Sequence, residues 1–195
     1  MKTIYSAIAI LCAIAFSASV QAQSVTLNLD PAKTQITFTL GAVLHTVDGT
    51  FKMKSGAIQF DPDTGRTSGE IVVDAASGES GNNSRDQKMH KSVLESPTYP
   101  EIIFVPEQVQ GHVSLSGESQ VQLQGLIKLH GSQREITIPA NIQVTGDQLT
   151  ATVHFAIPYV QWGLKDPSTF VLRVDKRVDV AIHAAGRLSL LPAAH

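Results

Sequence analysis

The chain has 195 residues, with 15 Lys and Arg against 17 Asp and Glu and a formal net charge of −2. Nucleic-acid binding rests on neutralising phosphates with basic side chains, so this balance excludes a dedicated nucleic-acid partner. The single cysteine, Cys12, lies in an N-terminal apolar run, so the domain that follows is held together without disulfides.

The chain opens with Met1-Lys2, a short positive start, followed by an almost uninterrupted apolar run from Ile4 to Val20. Val20-Gln21-Ala22 then sets small side chains where a signal peptidase reads, which predicts a cleaved signal peptide over residues 1–22 and a mature start at Gln23. The run is short for a bilayer span, which takes about 20 apolar residues. Leu11 precedes Cys12 where a lipid-modification site needs a small residue. The mature protein is therefore expected in the periplasm or secreted, with no transmembrane segment. Residues 23–188 form one expected domain and 189–195 a C-terminal tail.

From Val25 onward, short alternating segments are separated by turn chemistry. Val25–Leu29 alternates until Asp30-Pro31 breaks it, and Ile36, Phe38 and Leu40 share one side of the next extended segment. Thr50–Lys54 and Ala57–Phe60 read as neighbouring strands, and Asp61-Pro62-Asp63-Thr64-Gly65 as a turn. Glu70–Asp74, Glu101–Val105, Val121–His130, Glu135–Val144, Leu149–Ile157 and Val178–His183 continue the theme, with turn signals at Gly131-Ser132 and Thr145-Gly146-Asp147. Many evenly spaced strands of period two predict an all-β sandwich or barrel. Between Ala75 and Pro100 the rhythm breaks. Ser84-Arg85-Asp86-Gln87 has the form of a capping box, and Met89 and Val93 fall at i and i+4. One helix of about three turns is expected there, ended by Pro97 and Pro100, near one end of the β-structure.

Residues that could carry chemistry are sparse. Ser77-Gly78-Glu79-Ser80-Gly81 misses the spacing of a nucleophile elbow, and no histidine pair has the spacing of a zinc protease. His45, His90, His112, His130, His154, His183 and His195 are scattered, although strands could bring some together; no metal or cofactor is expected. The in-phase apolar sets read first as a filled core, with a ligand-lined lumen as the alternative, because eight strands enclose an interior at the boundary between the two. Arg85, Lys88, His90 and Lys91 form a basic cluster that either faces solvent or attracts an acidic head group. Trp162, in an irregular stretch ending at Pro167, is a lid or a loop anchor.

The helix and its flanks are more specific. Arg85-Asp86-Gln87-Lys88-Met89-His90, Val93-Leu94-Glu95-Ser96 and Tyr99-Pro100-Glu101-Ile102-Ile103-Phe104 resemble the YceI-like lipid/polyisoprenoid-binding family. So do Val47-Asp48-Gly49-Thr50-Phe51, Ser55-Gly56 with Phe60-Asp61-Pro62, and Leu129-His130-Gly131. The resemblance covers about Val25 to Leu188. Many members carry a His-Leu-Gly-Phe type segment where this chain has Ala42-Val43-Leu44-His45-Thr46, so the head group is not carried over. The resemblance implies an antiparallel, eight-stranded, lipocalin-like barrel with one short helix inserted near one end. It also implies a non-enzymatic role, binding or transporting an isoprenoid-type lipid, such as a polyprenyl chain or a quinone tail, in the lumen. The residues expected to line that site are Phe38, Leu40, Phe51, Ile58, Met89, Ile102, Phe104, Ile127, Leu129, Ile136, Ile138 and Trp162, with Arg85 and Lys88 as head-group candidates. The alternatives are a packed interaction domain partnering a membrane redox protein, and an enzyme at the barrel mouth using His45, His130 or His154 as base. The oligomeric state does not follow from the sequence.

Overall fold

Turn residues and period-two alternation cut the chain into strands, and each pairs antiparallel with its neighbour. The computed structural model describes residues 24–43, 45–170 and 172–190, so the expected signal peptide lies outside the described residues. Among the described residues there are nine strands: β1 (Val25–Leu29), β2 (Gln35–Leu40), β3 (Val47–Phe60), β4 (Thr67–Glu79), β5 (Glu101–Gln110), β6 (Gly117–Leu129), β7 (Ser132–Thr145), β8 (Gln148–Ile157) and β9 (Val178–Leu190). β1 and β2 both lie between β3 and β9: Leu27 faces Ile58 and Leu188, and Phe38 faces Gly49 and Val180. They are two halves of one strand, interrupted by a 3-10 turn at Pro31–Lys33, where the Asp30 side chain accepts from the Ala32 N–H. Nine segments thus fill eight positions, and the pairing closes on itself as an eight-stranded barrel. Closure removes the unpaired edges that an open sheet would expose.

Two expectations about β3 and β4 need correction. Thr50–Lys54 and Ala57–Phe60 are one continuous strand rather than neighbours. A register shift between Met53 and Ser55 adds a residue, so the inward set changes from Val47, Phe51 and Met53 to Ile58 and Phe60. That change of phase made one strand read as two. β4 runs on to Glu79, well past Asp74, because a second shift between Thr50 and Lys52 absorbs Ala75–Gly78. In β5 a shift between Pro106 and Gln108 does the same, carrying the inward set from Pro106 to Val109. β9 continues to Leu190, into the segment expected as a tail.

The helix starts earlier than its sequence suggests. Asn82, not Ser84, is the cap: its side chain accepts from the Arg85 N–H at 3.0 Å. The α-helix Asn83–Lys88 (α1) passes into a π-helical turn, Met89–Val93, in which the Leu94 N–H donates to the Met89 carbonyl. Glu95 ends it in the left-handed region (φ 47°), ahead of both prolines. His90 pins the turn to β4. Its Nε2 donates to the Gly78 carbonyl at 2.8 Å, leaving Nδ1 to accept from Ser96 Oγ at 3.0 Å. The β6–β7 hairpin packs beneath, turning at His130-Gly131, both at positive φ as a type I′ turn requires, one residue earlier than expected.

Gly49 marks the tightest point on β3. A Cβ there would lie 2.3 Å from the Phe38 ring and 2.4 Å from the Glu79 carbonyl oxygen. Gly49→Ala is therefore expected to destabilise the fold by about 1–3 kcal/mol, as overpacking does. Urea denaturation checks this; an unchanged midpoint would show that the Phe38 contact is not fixed.

Candidate ligand site

The inward positions of the eight strands do not fill the barrel. They surround a cavity of about 720 Å³, within the roughly 300–1,000 Å³ of small-molecule sites. The reason lies in side-chain size. Ala140 on β7, Ala151 on β8 and Ala184 on β9 all point inward, and Ala151 and Ala184 pair across the strands. Larger residues form two clusters around this gap. Leu94, Ile127, Leu129, Ile157, Tyr159 and Leu164 cluster under the helix, and Val109, Val121, Ile138 and Val153 cluster with Ala140 on the β5–β8 wall. Nearly all the lining is apolar.

Of the residues expected to line the site, Phe38, Leu40, Phe51, Ile58, Met89, Ile102, Phe104, Ile127, Leu129 and Ile138 border this cavity. Phe38 and Phe51 lean on each other with ring centroids 5.4 Å apart. Ile136 and Trp162 do not border it. Ile136 packs between the two apolar clusters, and Trp162 packs against the one under the helix as a loop anchor. Sequence reasoning missed Met53, Val153, Phe155, Tyr159, Leu164 and Ile182, which do border it. Four of these follow the inward phase of β3, β8 and β9, a signal that was available; Tyr159 and Leu164 come from an irregular loop that carries no period.

Polar lining gathers at the helix end, where the long connections lie. His45, Ser80, Asn82, Ser84, Arg85 and Lys88 border the cavity there, and among the described residues no acidic side chain does. Arg85 is held in place: its Nε donates to Ser80 Oγ and its Nη2 to the Ser80 carbonyl, both at 2.7 Å. Asp86 accepts from the Ser80 N–H and hydroxyl, so Ser80 joins the acid to the base. Lys88 Nζ donates to the Pro167 carbonyl at 2.9 Å, tying the helix to the β8–β9 connection. Toward the other end the Thr67 hydroxyl borders the cavity, buried, with no partner among the described residues.

The three histidines offered as a base do not converge. His45 is exposed at the mouth, His130 pairs with Glu95 at 3.0 Å in a hairpin turn, and His154 faces outward beside His183. Among the described residues no group of three His, Cys, Asp or Glu is placed to hold a metal ion, and no helix is long and apolar enough to cross a membrane.

This geometry agrees with what the comparisons show. The YceI-like domain matches residues 27–185. The chain belongs to the YceI-like family. No curated protein matches it. Solved structures do: BcnA of Burkholderia cenocepacia, at 17% identity and a TM-score of 0.65, covers 80% of this chain and 98% of its own. A polyisoprenoid binding domain from Saccharophagus degradans, implicated in plant cell wall breakdown, shares 15% identity at a TM-score of 0.66, over 84% of this chain and 98% of its own. The YceI protein of Campylobacter jejuni shares 16% at 0.60, over 72% and 84%. At these identities the likeness is one of fold.

In this YceI-like chain the β8–β9 connection is fixed over the mouth by Tyr159, whose hydroxyl donates to the Asp175 carbonyl at 2.7 Å. Burial, then the nearby Asp166 and Asp175 charges, push the phenol up to about 12. The hydroxyl and N–H of Ser168 hold the Asp166 carboxyl below its ordinary range. The unfolded phenol ionises near 10, so Tyr159 favours the folded state fully below that pH and loses its contribution as pH rises toward 12. Tyr159→Phe is expected to lower stability at pH 8 by about 0.5–1.5 kcal/mol, the worth of one hydrogen bond. It should also flatten the loss of stability between pH 10 and 12; denaturation midpoints across that range check both.

Proposed function

We propose that this protein is a non-enzymatic carrier that is exported to the periplasm or secreted and holds an isoprenoid-type lipid chain in its barrel. The observation that carries this is the hollow apolar interior of about 720 Å³, open at a mouth whose charged lining residues are basic. At about 30 Å³ per heavy atom, the share of a water molecule in the liquid, the cavity takes on the order of twenty carbons, or four to five isoprene units. The Saccharophagus degradans relative is a polyisoprenoid binding domain, which supports the same ligand class here. A packed interaction domain would have no reason to keep alanines at Ala140, Ala151 and Ala184 around an open space.

Magnitudes divide the work between tail and head. Each buried CH₂ is worth about 0.8 kcal/mol, whereas an exposed ion pair at the rim contributes roughly 0–1 kcal/mol. The tail supplies affinity. Arg85, fixed by Ser80, and Lys88 act at the rim on the head group. Phe38, Leu40, Phe51, Ile58, Met89, Ile102, Phe104, Ile127, Leu129 and Ile138 contact the tail.

Narrowing the lumen tests the reading without touching the outer surface. Ala151→Phe projects a ring into the open space, and is expected to weaken binding of a C20 prenyl alcohol to delipidated protein at least tenfold while leaving the melting temperature within a few degrees. Equal affinity in titration calorimetry would contradict it. Export has its own readout: the intact mass of protein from the periplasmic or culture fraction should correspond to a chain beginning at Gln23, and an intact Met1 start there would overturn the leader.

A further inference from the structure

The two ends of the barrel differ in surface chemistry. At the mouth, the β2–β3 and β8–β9 connections join as a small flap. Ala42 pairs with Val174, the Val43 N–H donates to the Arg173 carbonyl at 3.2 Å, and the Asp175 N–H to the Gly41 carbonyl at 2.8 Å. The tip is a turn closed twice: the Thr169 N–H donates to the Leu172 carbonyl at 2.7 Å, and the Leu172 N–H to Thr169 Oγ1 at 3.0 Å. That turn holds Phe170 wholly exposed, at 100%, and Val43 is 71% exposed on the facing segment. Among the described residues four large apolar side chains are exposed; Val43, Phe170 and Leu172 are on this flap and only Leu115 is elsewhere. Leu172 and Val174 also border the cavity, so the apolar surface runs from the tip into the lumen.

The connection that carries the tip is rich in cations. Lys165, Arg173, Lys176 and Arg177 are exposed on the same connection, and Lys88 and Lys91 on the helical segment beside it. The acids at this end are Asp166 and Asp175 on the connection itself, Asp86 and Glu95 on the helical segment, and Asp48, Glu79 and Asp179 on the strand ends below; Asp86 accepts from Ser80, Glu95 pairs with His130 and Asp48 accepts from Thr39. The turns at the opposite end reverse the sign, with Asp61, Asp63 and Asp147 against Arg66.

We propose that the flap docks the mouth of the barrel on an anionic lipid bilayer, with Phe170 and Val43 entering the interfacial region and the surrounding Lys and Arg side chains meeting the head groups. Apolar insertion and basic charge are the two signals that reversible membrane attachment requires together. A protein interface typically buries about 800 Å² per partner, more than three side chains on a narrow flap supply. The opposite, acidic end turns away from such a surface, so docking presents the lumen to the lipid. This goes beyond the carrier reading: it stands on the outer surface of the flap, that reading on the lumen, and either can fail alone.

The test is flotation of the protein, purified in the form the cell accumulates, with vesicles of phosphatidylcholine alone or with phosphatidylglycerol as a third of the lipid. The protein should float with the mixed vesicles and not the neutral ones, and added salt should release it. Phe170→Asp should reduce binding at least tenfold, and Arg173→Glu or Arg177→Glu about fivefold each, while Leu115→Asp at the other end leaves it unchanged. Circular dichroism and the bound-lipid content of Phe170→Asp separate docking from folding and from cargo: native spectra with retained lipid and lost flotation are expected. Equal binding to both vesicles, binding to neither, or unchanged binding by Phe170→Asp would overturn the proposal. So would a vesicle-free dimer in sedimentation equilibrium that Phe170→Asp abolishes, since the flap would then meet a second copy of the chain.

Discussion

Every other feature of this molecule depends on one constraint: a closed ring of eight strands has an inside, and that inside receives half of every strand's side chains. Hydrogen bonding round the ring is satisfied without an edge, so the fold needs no disulfide and no covering layer. What the inside contains is decided by side-chain volume alone. Leu94, Ile127, Leu129, Ile157, Tyr159 and Leu164 pack under the helix and Val109, Val121, Ile138 and Val153 on the β5–β8 wall, while Ala140, Ala151 and Ala184 leave space between the strands. Interiors are ordinarily close-packed, and a void of about 720 Å³ forgoes much dispersion energy unless something occupies it. The hollow is thus both the weak point of the fold and the strongest statement of what it is for.

The helical segment answers the problem posed by the open end. Met89, Val93 and Leu94 bring an apolar face over the mouth, His90 anchors it to β4, and Lys88 links it to the β8–β9 connection. The π-turn has a purpose in this setting. One extra residue between Met89 and Leu94 rotates the stripe so that Met89, Val93 and Leu94 all reach the cavity. Arg85 gains its fixed position from the same segment, through Ser80, so cover and rim charge come from one insertion between two strands.

The sequence made much of this legible, for identifiable reasons. Period-two alternation located the later strands because β6, β7 and β8 keep one phase throughout. It failed at β3, where the shift near Met53 changes the phase and one strand looks like two. The cap was misplaced because Asn82 and Ser84 are both good capping residues and only backbone geometry chooses between them. Of the twelve apolar residues expected to line the site, nine on strands border the cavity because strand phase fixes direction, and Met89 reaches it from the π-turn. Trp162 does not, since nothing periodic fixes a loop. Nor could alternation separate a filled barrel from a hollow one. The small residues at inward positions of β7, β8 and β9 carry that information, and it becomes readable only once the strands are known to face one another.

Whether the lumen holds a single apolar chain is the central question. Native mass spectrometry of the purified protein, compared with the same sample denatured, measures this directly. A carrier barrel gives a mass excess in the native state equal to one isoprenoid-type lipid, lost on denaturation and recovered in the organic extract. A native mass equal to the polypeptide alone, from protein never exposed to detergent or solvent, would contradict it.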